Sequence, residues 1–294
     1  LRLWNALVAV LLTLALAACG HEAAQTGPGT ITISGNFGAP VTITIESAPE
    51  ISDLTSSVVS VGAGQVVRSG DALLLRATSF DSRTGELVSG YQTGQIRLTT
   101  ANEEGVGEIA SALVGVTEGS RVLVERPGLS PTDPHVVEIV VVDVLYTMAH
   151  GTRVTLPSPA PEGMPTVEES DDGGPYIVAN PSHFHDLTVQ PLITGSGEQV
   201  SAGDQLAIQY VVTDESGKVL DSSWSGSGPV SVALTSLMEG LQEGLVDQTV
   251  GSRVLVLIPS SEASGQGDRI AVVDILAVLP GDDSASPSAQ ATDG

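Results

Sequence analysis

Two side chains in the C-terminal half stand where chemistry could be done. Tyr210 belongs to an alternating run, Leu206, Ile208, Tyr210 and Val212, and Asp221 is followed by Ser222 and Ser223. A phenol in such a run is either a hydrogen-bond donor over an apolar pocket or a core tyrosine with its hydroxyl at the rim. A carboxylate ahead of two serines is either an acceptor at that rim or a turn cap. Other clusters carry less. His183-Phe184-His185-Asp186 sets two histidines at i and i+2 beside one aspartate, without a further ligand, so no metal site is expected. Asp171-Asp172-Gly173-Gly174 lacks the later acidic ligand of a calcium loop and reads as a solvated turn. Neither a glycine-rich phosphate loop nor a Ser/His/Asp arrangement stands out.

The elements that position these groups must come from an acidic, aromatic-poor chain. Thirty-five acidic residues face 11 basic ones among 294, a net charge of −24, which repels phosphate backbones and excludes nucleic-acid binding as a main function. Hydrophobic residues make up 41%, enough to build cores. The single cysteine, Cys19, allows no intramolecular disulfide and no cysteine-based metal site. It follows an apolar stretch from Ala6 to Ala18, too short to span a bilayer but suited to a secretory signal. Leu16-Ala17-Ala18-Cys19-Gly20 resembles the bacterial lipoprotein signal. That resemblance implies a signal peptide over 1–18, a lipidated Cys19, a tether over 19–29 and an outer-face membrane anchor. Two acyl chains hold a protein on a membrane where one does not, since each buried methylene contributes about 0.8 kcal/mol.

The chain also repeats itself. Laying residue n over residue n + 133 sets Asp53-Leu54-Thr55 on Asp186-Leu187-Thr188 and Gly70-Asp71 on Gly203-Asp204. With small drifts, Gly119-Ser120-Arg121-Val122-Leu123-Val124 recurs intact from Gly251 to Val256, and Val142-Asp143-Val144-Leu145 overlays Val273-Asp274-Ile275-Leu276. A period this long means tandem domains, not a solenoid. The first is placed at 30–152 and the second at 165–280, with a proline-rich linker over 153–164 and a disordered tail over 281–294. Most of each unit alternates as strands. Only Leu237, Leu241 and Leu245, matched by Val106, Ile109 and Leu113, recur at helical spacing. The expected class is α+β, each unit an antiparallel β-sheet wrapped over one short α-helix.

Over about eighty residues the second unit resembles FKBP-type peptidyl-prolyl cis-trans isomerases, of the secreted actinobacterial kind. The motifs are Gly203-Asp204, the strand with Tyr210, Leu220-Asp221-Ser222-Ser223, Gly240-Leu241-Gln242-Glu243-Gly244-Leu245, Val250-Gly251-Ser252-Arg253, Ile258-Pro259 and Val273-Asp274-Ile275-Leu276. The first unit is a diverged copy, with Ala77 where the second has Tyr210 and Ser89 where it has Asp221.

The resemblance implies rotation about X–Pro amides, whose barrier of about 18–20 kcal/mol comes from the resonance of the planar amide. The twisted amide is less polar than the planar one, so an apolar pocket favours it without nucleophile, metal or cofactor. Tyr210 would donate to a substrate carbonyl and Asp221 would accept or polarise at the edge. Leu220, Val230, Leu237, Met238, Leu241 and Val273 would form walls and floor, with Ser264 in the late loop. Several of these stand where the family has aromatic rings, and aliphatic replacements loosen the grip on a proline ring. The expectation is a weak isomerase in the second unit, a monomer acting on exported polypeptides with X–Pro bonds. The alternative is a catalytically inactive module that binds peptides or proteins at the cell surface.

Overall fold

A computed structural model describes residues 25–26, 31–88, 93–129, 136–157, 163–170, 173–180, 183–226, 228–265 and 267–281. The signal segment, Cys19, Ser89, Asp171, Asp172 and the tail from 282 lie outside the described residues. In chain order a small sheet of β1 (Gln25–Thr26), β2 (Ile31–Ser34) and β3 (Thr42–Ile45) comes first. It leads into β4 (Thr55–Ser60), β5 (Ala72–Asp81), β6 (Ile96–Thr100), the single turns α1 (Glu103–Val106) and α2 (Ala110–Leu113), β7 (Arg121–Pro127) and β8 (Val137–Val144). Next come β9 (Thr152–Arg153) and the hairpin β10 (Thr166–Glu169) and β11 (Pro175–Val178). The last stretch holds β12 (Thr188–Thr194), β13 (Gln205–Asp214), β14 (Val219–Ser222), β15 (Val230–Ala233), α3 (Glu239–Leu245), β16 (Arg253–Ile258) and β17 (Arg269–Leu279).

The two main sheets run β4-β7-β8-β5-β6 and β14-β13-β17-β16-β12-β9, with β15 also on β13, and their pairs are antiparallel. Their central strands are continuous apolar runs because both faces are covered. On β17, Ala271, Val273 and Ile275 face α3, while Ile270 and Val272 face the β10–β11 hairpin through Val167 and Ile177. The β2–β3 hairpin covers the first sheet in the same way, packing Ile31 and Ile33 on Phe80, Leu123 and Ile139. Each fully buried Val, Ile or Leu contributes about 1.5–3 kcal/mol, so these covered strands supply most of the drive to fold. The covering hairpins are an addition to the expected layout.

Matching bonds recur in the two sheets. Arg121 and Arg253, both buried, each hold an aspartate through paired bonds of 2.6 and 2.8 Å, Asp143 and Asp274 respectively. Ser120 and Ser252 each accept the N–H of a glycine, Gly62 and Gly195, at 2.9 Å. A strand irregularity falls between Val58 and Ser60 on β4 and between Pro191 and Ile193 on β12.

Two expectations need correction. The helix of the first unit is not one element: Gly107, at φ 64°, ends α1, and a 3₁₀ turn separates it from α2. A residue with positive φ cannot continue a right-handed helix. The linker's first residues also belong to the second sheet. β9 pairs with Ile193 and Thr194, and Val154 N–H donates to Leu192 O at 2.9 Å. Gly151 makes that approach possible, since a Cβ there would stand 2.2 Å from Thr194 O. Leu74, Leu145 and Ile96 of the first unit pack with Ala207, Leu276 and Leu279 of the second.

Candidate functional site

β13 carries Tyr210 opposite Val273 of β17, and β14 lies on its other side with Asp221 opposite Val212. Tyr210 and Asp221 are therefore diagonal neighbours on one sheet face, within reach of a long aromatic side chain. The Tyr210 hydroxyl donates to Asp221 Oδ2 at 2.7 Å. In this structure its hydrogen is committed to the carboxylate. Burial, and then the bond to Asp221 and its charge, push the phenol up to about 12 from an ordinary 10.

The same face gathers most of the expected lining. Val273 and Leu241 are buried, and Tyr210, Val230, Leu237 and Met238 pack against them half-buried. Leu241 comes from α3, which lies close to the sheet because Gly240 and Gly244 face it. The helix has no side-chain cap; Gly240 N–H instead donates to Glu262 O of the late loop at 3.2 Å. Loop and helix thus hold each other, as orphan helix-terminal groups require. Leu237, read at helical spacing, precedes the helix in extended conformation, and its N–H is committed to Leu234 O at 3.1 Å.

Two expected lining residues stand apart. Leu220 is 46% exposed, because neighbours on a strand point to opposite sides and Asp221 takes the side of Tyr210. Ser264 is exposed at φ 58°, while its neighbour Ala263 enters the cluster. Ala263 and Ser223 are the residues that sequence reasoning missed. The Ser223 hydroxyl accepts the Tyr210 N–H at 2.9 Å where β14 leaves the sheet. Its only sequence signal is its place after Asp221 and Ser222.

The remaining groups have structural partners. Trp224 packs against Gly174, with the Arg253 guanidinium 5.9 Å from its ring centroid. His183 lies 3.3 Å from Asp268, which also accepts the N–H groups of Phe184 and Ser260 at 2.9 Å. Burial would raise the Asp268 carboxyl, but these donors outweigh it and hold it below its ordinary value. Among the described residues no three His, Cys, Asp or Glu side chains form a group that could hold a metal ion. A cleft of about 130 Å³ lies between β9, β10 and β12, where Arg153 and Arg253 both pair with Glu169. In the first sheet, Ala77 is buried in the corresponding core and brings no hydroxyl.

An ultraviolet titration tests the Tyr210–Asp221 bond. The Tyr210 phenolate is expected to form near pH 12, and Asp221→Asn to bring that midpoint down toward 10. The folded state holds this proton more tightly than an unfolded chain. Its contribution to stability is therefore complete below about pH 10 and is lost as the pH rises toward 12. An unchanged midpoint in Asp221→Asn would show that the bond does not set the phenol.

The second sheet thus lies over a short helix, with a phenol–carboxylate pair above an aliphatic cluster. Residues 196–275 match the family model of FKBP-type peptidyl-prolyl cis-trans isomerase. No curated protein matches the chain. Among solved structures, FkpA from Escherichia coli is similar at 25% identity and a TM-score of 0.31, over 40% of this chain and 53% of that one. The chain thus spans about half of FkpA. A peptidyl-prolyl cis-trans isomerase from Pseudomonas syringae pv. tomato str. DC3000 is 21% identical, with a TM-score of 0.30, over 40% and 85%. The three FKBP domains of wheat FKBP73 are 14% identical, with a TM-score of 0.30, over 77% and 94%.

Proposed function

We propose that the second unit is a weak peptidyl-prolyl cis–trans isomerase and that the first is a degenerate FKBP-like partner. The observation that carries this is the 2.7 Å bond from Tyr210 to Asp221 at the rim of the aliphatic cluster. Catalysis rests on the pocket environment. An X–Pro amide losing its planar resonance loses polarity, and the half-buried Val230, Leu237 and Met238 offer it an apolar surface over the Val273–Leu241 core. Tyr210 remains protonated at neutral pH and orients the peptide by donating to a carbonyl. Asp221, at the exposed side, releases that hydrogen and takes a peptide N–H in exchange. The bonds repeated between the two sheets support a tandem duplication, and Ala77 supports assigning the activity to the second unit alone. The proposal extends to a lipid anchor at Cys19 on the outer face of the membrane and to a monomer serving exported polypeptides.

Exchange spectroscopy on an unstructured X–Pro peptide, with residues 30–281, tests the reading. Isomerisation above background is expected, falling about tenfold in Tyr210→Phe and in Asp221→Ala, each the equivalent of about 1.4 kcal/mol of transition-state stabilisation. No acceleration at high protein concentration would overturn it. The aliphatic lining favours a second reading, a binding module without catalysis. Peptide-induced shifts at Val230 and Leu241 without acceleration would support that one.

A further inference from the structure

The segment leaving the first unit is fastened on both sides. Thr147 donates its N–H to Glu118 Oε1 at 3.2 Å, and its hydroxyl donates to the same oxygen. Glu118 is buried, and burial raises its carboxyl although the Thr147 bonds partly offset this. On the other side the Thr147 carbonyl accepts from Gln209 Nε2 at 2.7 Å, Ala149 N–H donates to Asp274 Oδ2 at 2.8 Å, and His150 N–H donates to Gly251 O at 2.9 Å. The Tyr146 and His150 rings stack 3.7 Å apart across this segment.

Gln209 precedes Tyr210 on β13 and is buried. With its amide nitrogen committed to a carbonyl, its oxygen faces Ser223, whose hydroxyl lies 3.4 Å from it and equally 3.4 Å from Tyr210 O. The same hydroxyl accepts the Tyr210 N–H at 2.9 Å, and Ser223 N–H donates to Tyr210 O at 3.0 Å. Ser223 thereby clasps the end of β14, two residues beyond Asp221, to β13.

We propose that the first unit positions the Tyr210–Asp221 pair through the series Glu118, Thr147, Gln209 and Ser223. This gives the first unit, which lacks the phenol and carboxylate, a part in the activity of the second. Gln209 and Ser223 are positioning residues: they touch the strand that carries the pair and no reacting atom. The inference rests on the reading of Tyr210 and Asp221 as the site, but its primary test needs no substrate.

Backbone amide exchange in the full chain reads the clasp directly. Gln209→Met keeps the bulk and removes both hydrogen-bonding groups. It is expected to speed exchange at Tyr210 and Ser223 about tenfold, leaving the Val254 and Val256 amides of β16 unchanged. Glu118→Met, in the other unit, is expected to speed the same two amides about threefold. Ser223→Ala, which removes the hydroxyl that accepts the Tyr210 N–H but leaves the backbone bond to Tyr210 O, sets the upper limit of the effect at Tyr210. Unchanged exchange at Tyr210 and Ser223 in Gln209→Met would overturn the clasp, and unchanged exchange in Glu118→Met would overturn the part of the first unit. Acceleration spread evenly over β16 would mark global destabilisation and also overturn it. If wild-type protein lacks isomerase activity while both variants loosen Tyr210 locally, the isomerase reading fails and the positioning stands. If it is active, Gln209→Met is expected to raise the peptide KM about threefold with little change in kcat.

Discussion

Asp274→Ala is expected to lower the unfolding free energy by about 3–5 kcal/mol, seen as a large drop in the urea midpoint. Removing one partner of a buried ion pair leaves the other charge without compensation, and that loss is a large part of a total of about 5–15 kcal/mol. The Arg253 and Asp274 side chains are only 3% and 0% exposed. Burial opposes the Arg253 charge, yet its bonds to Asp274 and the nearby Glu169 charge outweigh it and raise its proton affinity. Asp274 also takes the Ala149 N–H, so its loss frees the segment between the units. Asp143→Ala is expected to act alike in the first sheet, where Arg121 and Asp143 are 1% and 2% exposed. The double change Arg253→Met with Asp274→Leu is expected to recover most of the stability, because well-packed apolar groups can replace a buried pair at little cost. A small effect of Asp274→Ala alone would mean that water reaches the pair.

Gly240→Ala is expected to destabilise the fold by about 1–3 kcal/mol, although alanine favours helices by about 1 kcal/mol over glycine. Packing decides the sign. A Cβ at Gly240 would stand 2.5 Å from Ile258 Cγ2 and 3.1 Å from Leu187 Cδ1, and Ile258 is fully buried on a central strand. A β-branched side chain in that position has no alternative rotamer to adopt cheaply. The helix must therefore move away, taking Leu241 out of the cluster beneath Tyr210. Gly203→Ala is the control, since nothing lies within 4 Å of a Cβ there and its effect should be near zero. Calorimetric melting of the two variants checks both expectations.

Much of the site was legible in the residues. Alternation put Leu206, Ile208, Tyr210 and Val212 on one face, and the structure finds all four in or against one core. The motif order brought Asp221 within hydrogen-bond reach of Tyr210, as a strand pair must. Leu220 failed for a reason present in the same rule: beside Asp221 on a strand, it had to face the other way. Ser264 failed because a turn sets side-chain direction through φ, which side-chain type alone does not reveal. The division of the first-unit helix lay hidden in Gly107, whose identity permits positive φ without demanding it.

Residue order alone sets the local and periodic features: strand alternation, the recurring motifs and the residue types that meet on one face. These depend on the near-neighbour geometry of the chain, which residue order dictates. Long-range packing settles which strand covers an edge, which hairpin covers a sheet, and that Glu118 reaches Thr147 while Thr147 reaches Gln209. Such contacts join residues far apart in the chain, and their partners are chosen by packing and by the need of buried polar groups for hydrogen bonds. That requirement operates only once the two sheets are in place.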